Sequence, residues 1–424
     1  MKKLAVLIVA ISFILASCGP ITEGGNPKKS IDQLIEKGKT YLALGDGDNA
    51  RKVFFEVLVF EPENTDAHFG IALADALRLV KLVESLDEYI QDYFVKGGGG
   101  KGDEGLGDFI HRYVDRLIFN VAQEITYHTW EIYKTTPEQN FSFFLSNYPI
   151  TYKDSLVLSC NGEWDGAELR LVWGFGHLAM GLSHLLLATD LNFDLSPILN
   201  LPINWQDLLQ NPQSINLKEL LPLLLDAFLE ILTDPNYPNF LLLTPDGREL
   251  YSTSGIELGL FFTSIVDAGH FIMNEPASQQ SNHVIGYIDM DGNGIYNEGD
   301  KIRLPDPIGI LDDPAYEILW GIFHMSHRLS EAFFDTTYMD PHPGVPDPFY
   351  LSDLNPLIIA LLAYYNLPPI ALPDYPIDIG PYFQNPTPEV LKQFTIDLLS
   401  CFKQETLRGL IECLFGLINT HSNV

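Results

Sequence analysis

Apolar residues recur at three- and four-residue spacing along most of the chain, the period that places them on one face of a helix. The runs Phe109–Tyr133, Ala167–Ala188, Leu217–Leu232, Gly255–Met273, Pro314–Phe334, Leu354–Tyr365 and Pro388–Ile418 each predict a helix. Asn211-Pro212, Asp234-Pro235, Asp313-Pro314 and Asn385-Pro386 punctuate these runs. Proline lacks the N–H a helix interior needs and disfavours helical backbone in the residue before it, so each pair marks a turn or a helix start. Period-two patterns are scarce. A β-hairpin is predicted at Phe240–Tyr251 around Pro245-Asp246-Gly247, and Val284–Ile288 reads as a strand. The fold class is therefore mainly α, a larger helical domain with a small β-hairpin and loop insertion.

Composition narrows the function classes. With 424 residues, 46% of them hydrophobic, the chain is long enough for two or three domains with real cores. Acidic residues outnumber basic ones 56 to 25, and a formal net charge of −31 repels phosphate backbones, which excludes nucleic acid as a partner. Residues 97–107, GGGGKGDEGLG, read as a loop or domain boundary, because glycine loses the most backbone entropy on ordering. Leu171–Thr189 carries no charge and approaches the length of a membrane span. Its Gly174, Gly176, Gly181, His177, Ser183 and His184 suit a tightly packed core helix, which is the expectation here.

At the N-terminus, Lys2 and Lys3 precede the apolar stretch Leu4–Leu15, which is too short to span a bilayer and suits a signal sequence. The stretch runs into Leu15-Ala16-Ser17-Cys18-Gly19, which resembles the lipobox of bacterial lipoproteins. The resemblance implies a signal peptide over 1–17, cleavage after Ser17 and a diacylglyceryl thioether on Cys18. Acyl chains contribute ~0.8 kcal/mol per buried CH2, so the body is expected to be anchored to the membrane through Cys18. Gly19, in place of an aspartate after the cysteine, points to the outer membrane, facing the periplasm. Residues 18–29 are polar and contain glycine and proline, as a flexible tether does. Cys160, Cys401 and Cys413 are an odd number of thiols; buried thiols are expected, with a Cys401–Cys413 disulfide as the alternative if a helix breaks between them.

Residues 30–96 carry a second resemblance. Leu34, Gly38, Tyr41, Ala50, Phe54 and Pro62 fall at the offsets of the tetratricopeptide repeat, with Gly45-Asp46-Gly47-Asp48 at its inter-helix turn. Small residues at Gly38 and Ala50 permit close helix approach, and Tyr41 and Phe54 fill the space between. A second repeat begins in phase at Ala67, with Ala72 at the glycine position. It decays at Asp75 and Glu84, which stand where tyrosine and alanine belong. Helical hairpins at the N-terminus, followed by the helical domain of 108–424, complete the expected layout.

The most specific chemistry lies at 289–300. Asp289, Asp291, Asn293, Asn297 and Asp300 place side-chain oxygens at positions 1, 3, 5, 9 and 12 of a loop with Gly294 at position 6; Ile295 at position 7 would supply its carbonyl. A hard cation that takes about six to eight oxygens needs this arrangement. The segment resembles the EF-hand-like calcium loops of exported bacterial proteins. It departs from them in having Asp300 instead of a bidentate glutamate and a strand instead of an entering helix. The expected cofactor is calcium, in a structural role. Two histidine pairs are candidates for chemistry: His324 and His327 with Glu331 on one helix face, and His177 with His184. Neither carries HExxH, and GxSxG and phosphate-cradling glycine loops are absent, so no catalytic residue is assigned.

These readings predict a non-enzymatic, lipid-anchored envelope protein that binds or assembles with an envelope protein partner through its repeat-like helices. The alternatives are an accessory ligand-binding component of an envelope transport system and, less favoured, a histidine-based metal-dependent hydrolase.

Overall fold

A computed structural model describes residues 27–95, 106–137, 140–193, 217–280, 282–297, 299–311, 313–333, 349–364 and parts of 371–402, with Pro197 and Leu201. Cys18, the signal segment and Cys413 lie outside the described residues, as does most of the tether. The chain is mainly helical. It divides into two compact units, one of residues 1–82, 118–180 and 256–376, the other of 83–117, 181–255 and 377–424. Of residues 97–107, expected as a loop or boundary, 97–105 lie outside the described residues, and Leu106 and Gly107 open a helix.

The first unit opens with α1 (Pro27–Ala43), α2 (Gly47–Phe60) and α3 (Thr65–Val95). The Asp46 carboxylate caps α2 by accepting from the Asn49 N–H at 3.1 Å. The next helix starts after Pro62, as the sequence pattern requires. Phe54 is fully buried, seated where side chains are missing: a Cβ on Gly38 would lie 2.6 Å from its ring and one on Gly70 2.4 Å away. The expected second helical pair does not form, because α3 runs unbroken through 31 residues. Asp75, out of pattern for a repeat, is fully buried and accepts from Arg51 Nε at 3.0 Å and from Arg78. Burial raises its pKa against the pull of both guanidinium groups.

After α4 (Leu106–Tyr113), a π-helical turn at Val114–Phe119 and α5 (Asn120–Thr135) comes a hairpin that sequence periodicity did not reveal. Its strands are β1 (Phe143–Tyr152) and β2 (Ser155–Trp164), paired antiparallel with two register shifts. Lys153 and Asp154 make the turn at φ 48° and 58°. Pro149 and the shifts break the alternation that would have announced the strands. The inner face supplies Phe143, Tyr148 and Trp164 to the core, where Phe69 meets Phe141, Phe143 and Trp164 edge-on.

The remaining elements of the first unit set the site. They are the first part of α6 (Gly166–Ala188), most of α8 (Gly247–Asn274), the short strands β3 (Gly286–Ile288) and β4 (Lys301–Arg303), α9 (Asp313–Phe333) and α10 (Asn355–Tyr364). β3 and β4 pair antiparallel and enclose the 289–300 loop, as expected for the insertion. By length and composition, α6 and α8 are apolar enough to cross a membrane. Each also carries charge that is paired within the unit: Arg170 of α6 with Asp267 of α8, and Glu257 of α8 with His177 of α6.

In the second unit, Leu106, Ala227, Ile231, Leu232 and Phe240 form one apolar cluster, joined by Ile396 and Leu399. Ala227, Ile231 and Leu232 come from α7 (Leu217–Thr233), and Ile396 and Leu399 from α11 (Val390–Phe402). The hairpin expected at Phe240–Tyr251 is absent. The Thr244 N–H donates to Ala188 O and the Leu241 N–H to Asp190 O, so the extended residues pair with the end of α6. Gly247 instead opens α8, seated so closely that a Cβ there would lie 2.0 Å from Ala188 O. Pro245-Asp246-Gly247 thus starts a helix, because the partner edge for a strand comes from elsewhere in the chain.

Candidate functional site

Two clusters of side chains able to hold a metal ion lie a few residues apart in the first unit. In the 289–300 loop, one oxygen from each of Asp289, Asp291 and Asp300 lies within 4.8 Å of the other two. Backbone donors hold them there. Asp289 accepts from the N–H groups of Gly292 at 2.6 Å and Gly294 at 2.7 Å; Asp300 accepts from Met290 and Asn297, each at 2.8 Å. Gly292 and Gly294 turn the chain at φ 75° and 87°, a region that side chains disfavour. These bonds, that from Gly294 first, hold the Asp289 carboxyl below the usual range, so it stays ionised.

The rest of the sequence-predicted set is arranged around these three. Asn293 donates from its side chain to Asp291 Oδ2 at 2.9 Å and accepts from the Ile295 N–H at 2.8 Å. The Asn297 side chain donates to the same Asp291 oxygen at 3.2 Å. Asp300, at the position where a glutamate would reach across, has both oxygens engaged by backbone N–H groups and is buried. The strand before the loop and the short terminal acid therefore work together: a hairpin brings position 12 close enough for aspartate.

The second cluster was not assigned from sequence. Gly162, at φ 144°, lets β2 pass so close to the segment before β3 that a Cβ would lie 2.4 Å from Asn282 O. There the Glu163 N–H donates to Asn282 O and the Val284 N–H to Glu163 O. This pairing carries His283 to the start of α6. Asp165 and Glu168 cap that helix reciprocally: Asp165 Oδ1 accepts from the Ala167 N–H at 2.7 Å, and Glu168 Oε2 accepts from the Asp165 N–H at 3.0 Å. The other Glu168 oxygen accepts from the Ile285 N–H at 2.8 Å, tying helix to strand. His283 Nδ1 then lies 2.9 Å from Asp165 Oδ2 and 3.4 Å from Glu275 Oε2. Neither oxygen completes a directed hydrogen bond to it.

Electrostatics divides the labour within this cluster. Burial alone would lower the His283 pKa, but contact with Asp165 and Glu275 raises it to about 10. Burial would raise Asp165, and the same contact lowers it. Glu168 is fully buried beside the Asp165 carboxylate, and burial first, then that charge, pushes it well above the carboxylate range. The Asp165-Gly-Ala-Glu168 spacing is a legible capping signal. Nothing in the sequence says that His283 and Glu275 converge on it.

The other candidate histidines are engaged in separate contacts. His327 Nδ1 lies 3.7 Å from Glu331, whose carboxylate is paired with Arg328, and His324 joins no three-ligand cluster among the described residues. His177 Nδ1 is bonded to Glu257, and Trp173 meets its ring edge-on. Cys160 is a buried thiol on β2. Between α8, α9 and the β3–β4 hairpin lies an apolar cavity of about 120 Å³ lined by Ile265, Ile272, Tyr316, Trp320, Phe323 and neighbours. The Tyr296 and Tyr316 hydroxyls bond to each other at 2.6 Å. An open cavity of about 590 Å³ with mixed polar and apolar walls adjoins His283, lined also by Phe144, Ser159, Asn161, Arg303 and Asp306. No family model, curated protein or solved structure matches the chain.

Proposed function

We propose that the chain is a lipid-anchored envelope protein that binds a protein partner, with a structural calcium ion locking the β3–β4 hairpin. One observation carries the calcium reading: three carboxylates of a glycine-turned loop converge within 4.8 Å, each oriented by backbone donors. Converging anions repel one another, and a divalent cation with oxygen ligands offsets that repulsion. The partner reading draws on the helical pair α1–α2, which resembles a tetratricopeptide hairpin and leaves Val59 and Phe60 largely exposed at the end of α2. Anchoring through Cys18 would concentrate these surfaces at the membrane.

The test has two arms. Calorimetric titration of the mature protein with Ca2+ should show one site, lost in Asp289→Asn; absence of that site removes the calcium reading. Capture of the anchored protein from solubilised envelopes should recover one stoichiometric partner, lost in the double variant Val59→Asp/Phe60→Asp. Retention by the variant removes the partner reading.

The apolar cavity favours a second reading, in which the protein holds a small apolar ligand. Its volume is near that of an engineered cavity, roughly 150 Å³, known to admit benzene. Trp320→Ala should then change binding of a benzene-sized probe, and an unchanged isotherm would dismiss this reading.

A further inference from the structure

We propose that Asp165, Glu275 and His283 form a second metal site, distinct from the calcium loop, for a divalent first-row transition ion of which Zn2+ is the reference. His283 is 7% exposed, and its Nδ1 stands at ion-pair distance from two carboxylate oxygens without the direction of a hydrogen bond to either. In an ordinary ion pair the ring N–H would point at one of them. Here it completes a bond to neither.

The two Nδ1 distances fall in the range found between ligands of one ion. With metal–ligand bonds of about 2.1 Å, neighbouring ligand atoms stand about 3.0 Å apart in an octahedron and about 3.4 Å apart in a tetrahedron, and no ligand points directly at its neighbour. The Nδ1 separations of 2.9 Å and 3.4 Å, off the hydrogen-bond direction, reproduce both features. All three ligand atoms lie within 4.8 Å of one another.

The surrounding bonds hold each ligand in place, as metal sites require. Asp165 spends Oδ1 on the helix cap and turns Oδ2 to His283. Gln280 Nε2 donates to Glu275 Oε2 at 2.9 Å, while Gln280 Oε1 accepts from the Tyr287 N–H at 3.3 Å. The His283 carbonyl accepts from Arg303 Nη2 at 2.7 Å, which fixes the backbone that carries the imidazole. The ligand chemistry separates the two sites. An imidazole with two carboxylates suits a borderline transition ion, whereas the all-oxygen loop suits Ca2+. Three protein ligands also leave room for water or a further ligand on the ion.

The test uses the full mature chain, stripped with chelator and then saturated with Ca2+. Titration with Zn2+ by calorimetry should show one site, and Co2+ should give visible d–d absorption bands at the same stoichiometry. Glu275→Gln keeps the volume and a hydrogen-bonding partner for Gln280, and should weaken Zn2+ binding by about 100-fold or more. His283→Asn should abolish it, with circular dichroism confirming that each variant folds; if His283→Asn does not fold, Glu275→Gln decides. Failure of the wild-type chain to take up Zn2+, or equal binding by Glu275→Gln, overturns the proposal. Neither result bears on the calcium loop, whose own titration is separate.

Discussion

Acid should weaken this protein through one buried histidine pair, and the size of the effect follows from its geometry. His68 Nε2 lies 2.9 Å from the Pro62 carbonyl, which only accepts, so that nitrogen carries the proton. In the neutral ring, His68 Nδ1 is then an acceptor, and the 2.8 Å contact between the two Nδ1 atoms requires the proton to sit on His128. His128 Nε2 is left as a buried lone pair without a hydrogen bond; the Glu124 carboxylate, 3.4 Å away, is half-exposed and paired with Arg51 at 3.2 Å. Burial first, then the nearby His68 and Arg51, lowers the His128 pKa to about 3. The sign follows. The unfolded histidine, at about 6.5, takes a proton on acidification that the folded one refuses, so stability is intact above about pH 6.5 and falls until about pH 3. At pH 4.5, about two units below the unfolded value, the loss is about 2.7 kcal/mol at 1.36 kcal/mol per unit. His128→Asn keeps a short amide donor toward His68 and removes the titration. Urea unfolding followed by circular dichroism from pH 7 to 4.5 should show wild type losing about 2.7 kcal/mol more than the variant. Parallel curves for the two proteins would refute the assigned tautomers and the burial argument together.

Four further outcomes follow from the packing, the loop and the proposed anchor. Phe54→Ala empties a fully buried site between Gly38 and Gly70 and should cost about 3–5 kcal/mol in denaturant unfolding. Gly70→Ala should also destabilise, although alanine favours helix by about 1 kcal/mol, because its Cβ meets the Phe54 ring at 2.4 Å; a stabilised variant would show that the ring yields. Saturating Ca2+ at about 100 times its Kd should stabilise wild type by about 2.7 kcal/mol in thermal unfolding and leave Asp300→Asn nearly unmoved. Cys18→Ala should release the protein from membranes and abolish incorporation of labelled palmitate, and unchanged fractionation would exclude the anchor.

Local chemistry was readable wherever neighbours in sequence decide the outcome. Helical periodicity placed α6, α7, α9 and α10 within a residue or two at most ends, because burying one face needs only the spacing of that face. The 289–300 loop was likewise legible, since its carboxylates, its turning glycines and the donors that orient them lie within twelve consecutive positions. The β1–β2 hairpin was not, because Pro149 and the register shifts spoil its alternation. The segment around Pro245-Asp246-Gly247 misled for a related reason: its strand partner is Ala188–Asp190, and sequence does not announce a distant edge.

The sequence alone thus determined the mainly helical class and the glycine-turned carboxylate loop at 289–300; both arise from short-range spacing, which survives without knowledge of the fold. Tertiary structure alone decided that α3 is one helix with a buried, arginine-paired Asp75, and that His283 meets Asp165 and Glu275. Each depends on side chains from separate elements sharing one desolvated volume. There the energy of a charge is set by neighbours that the order of residues does not reveal.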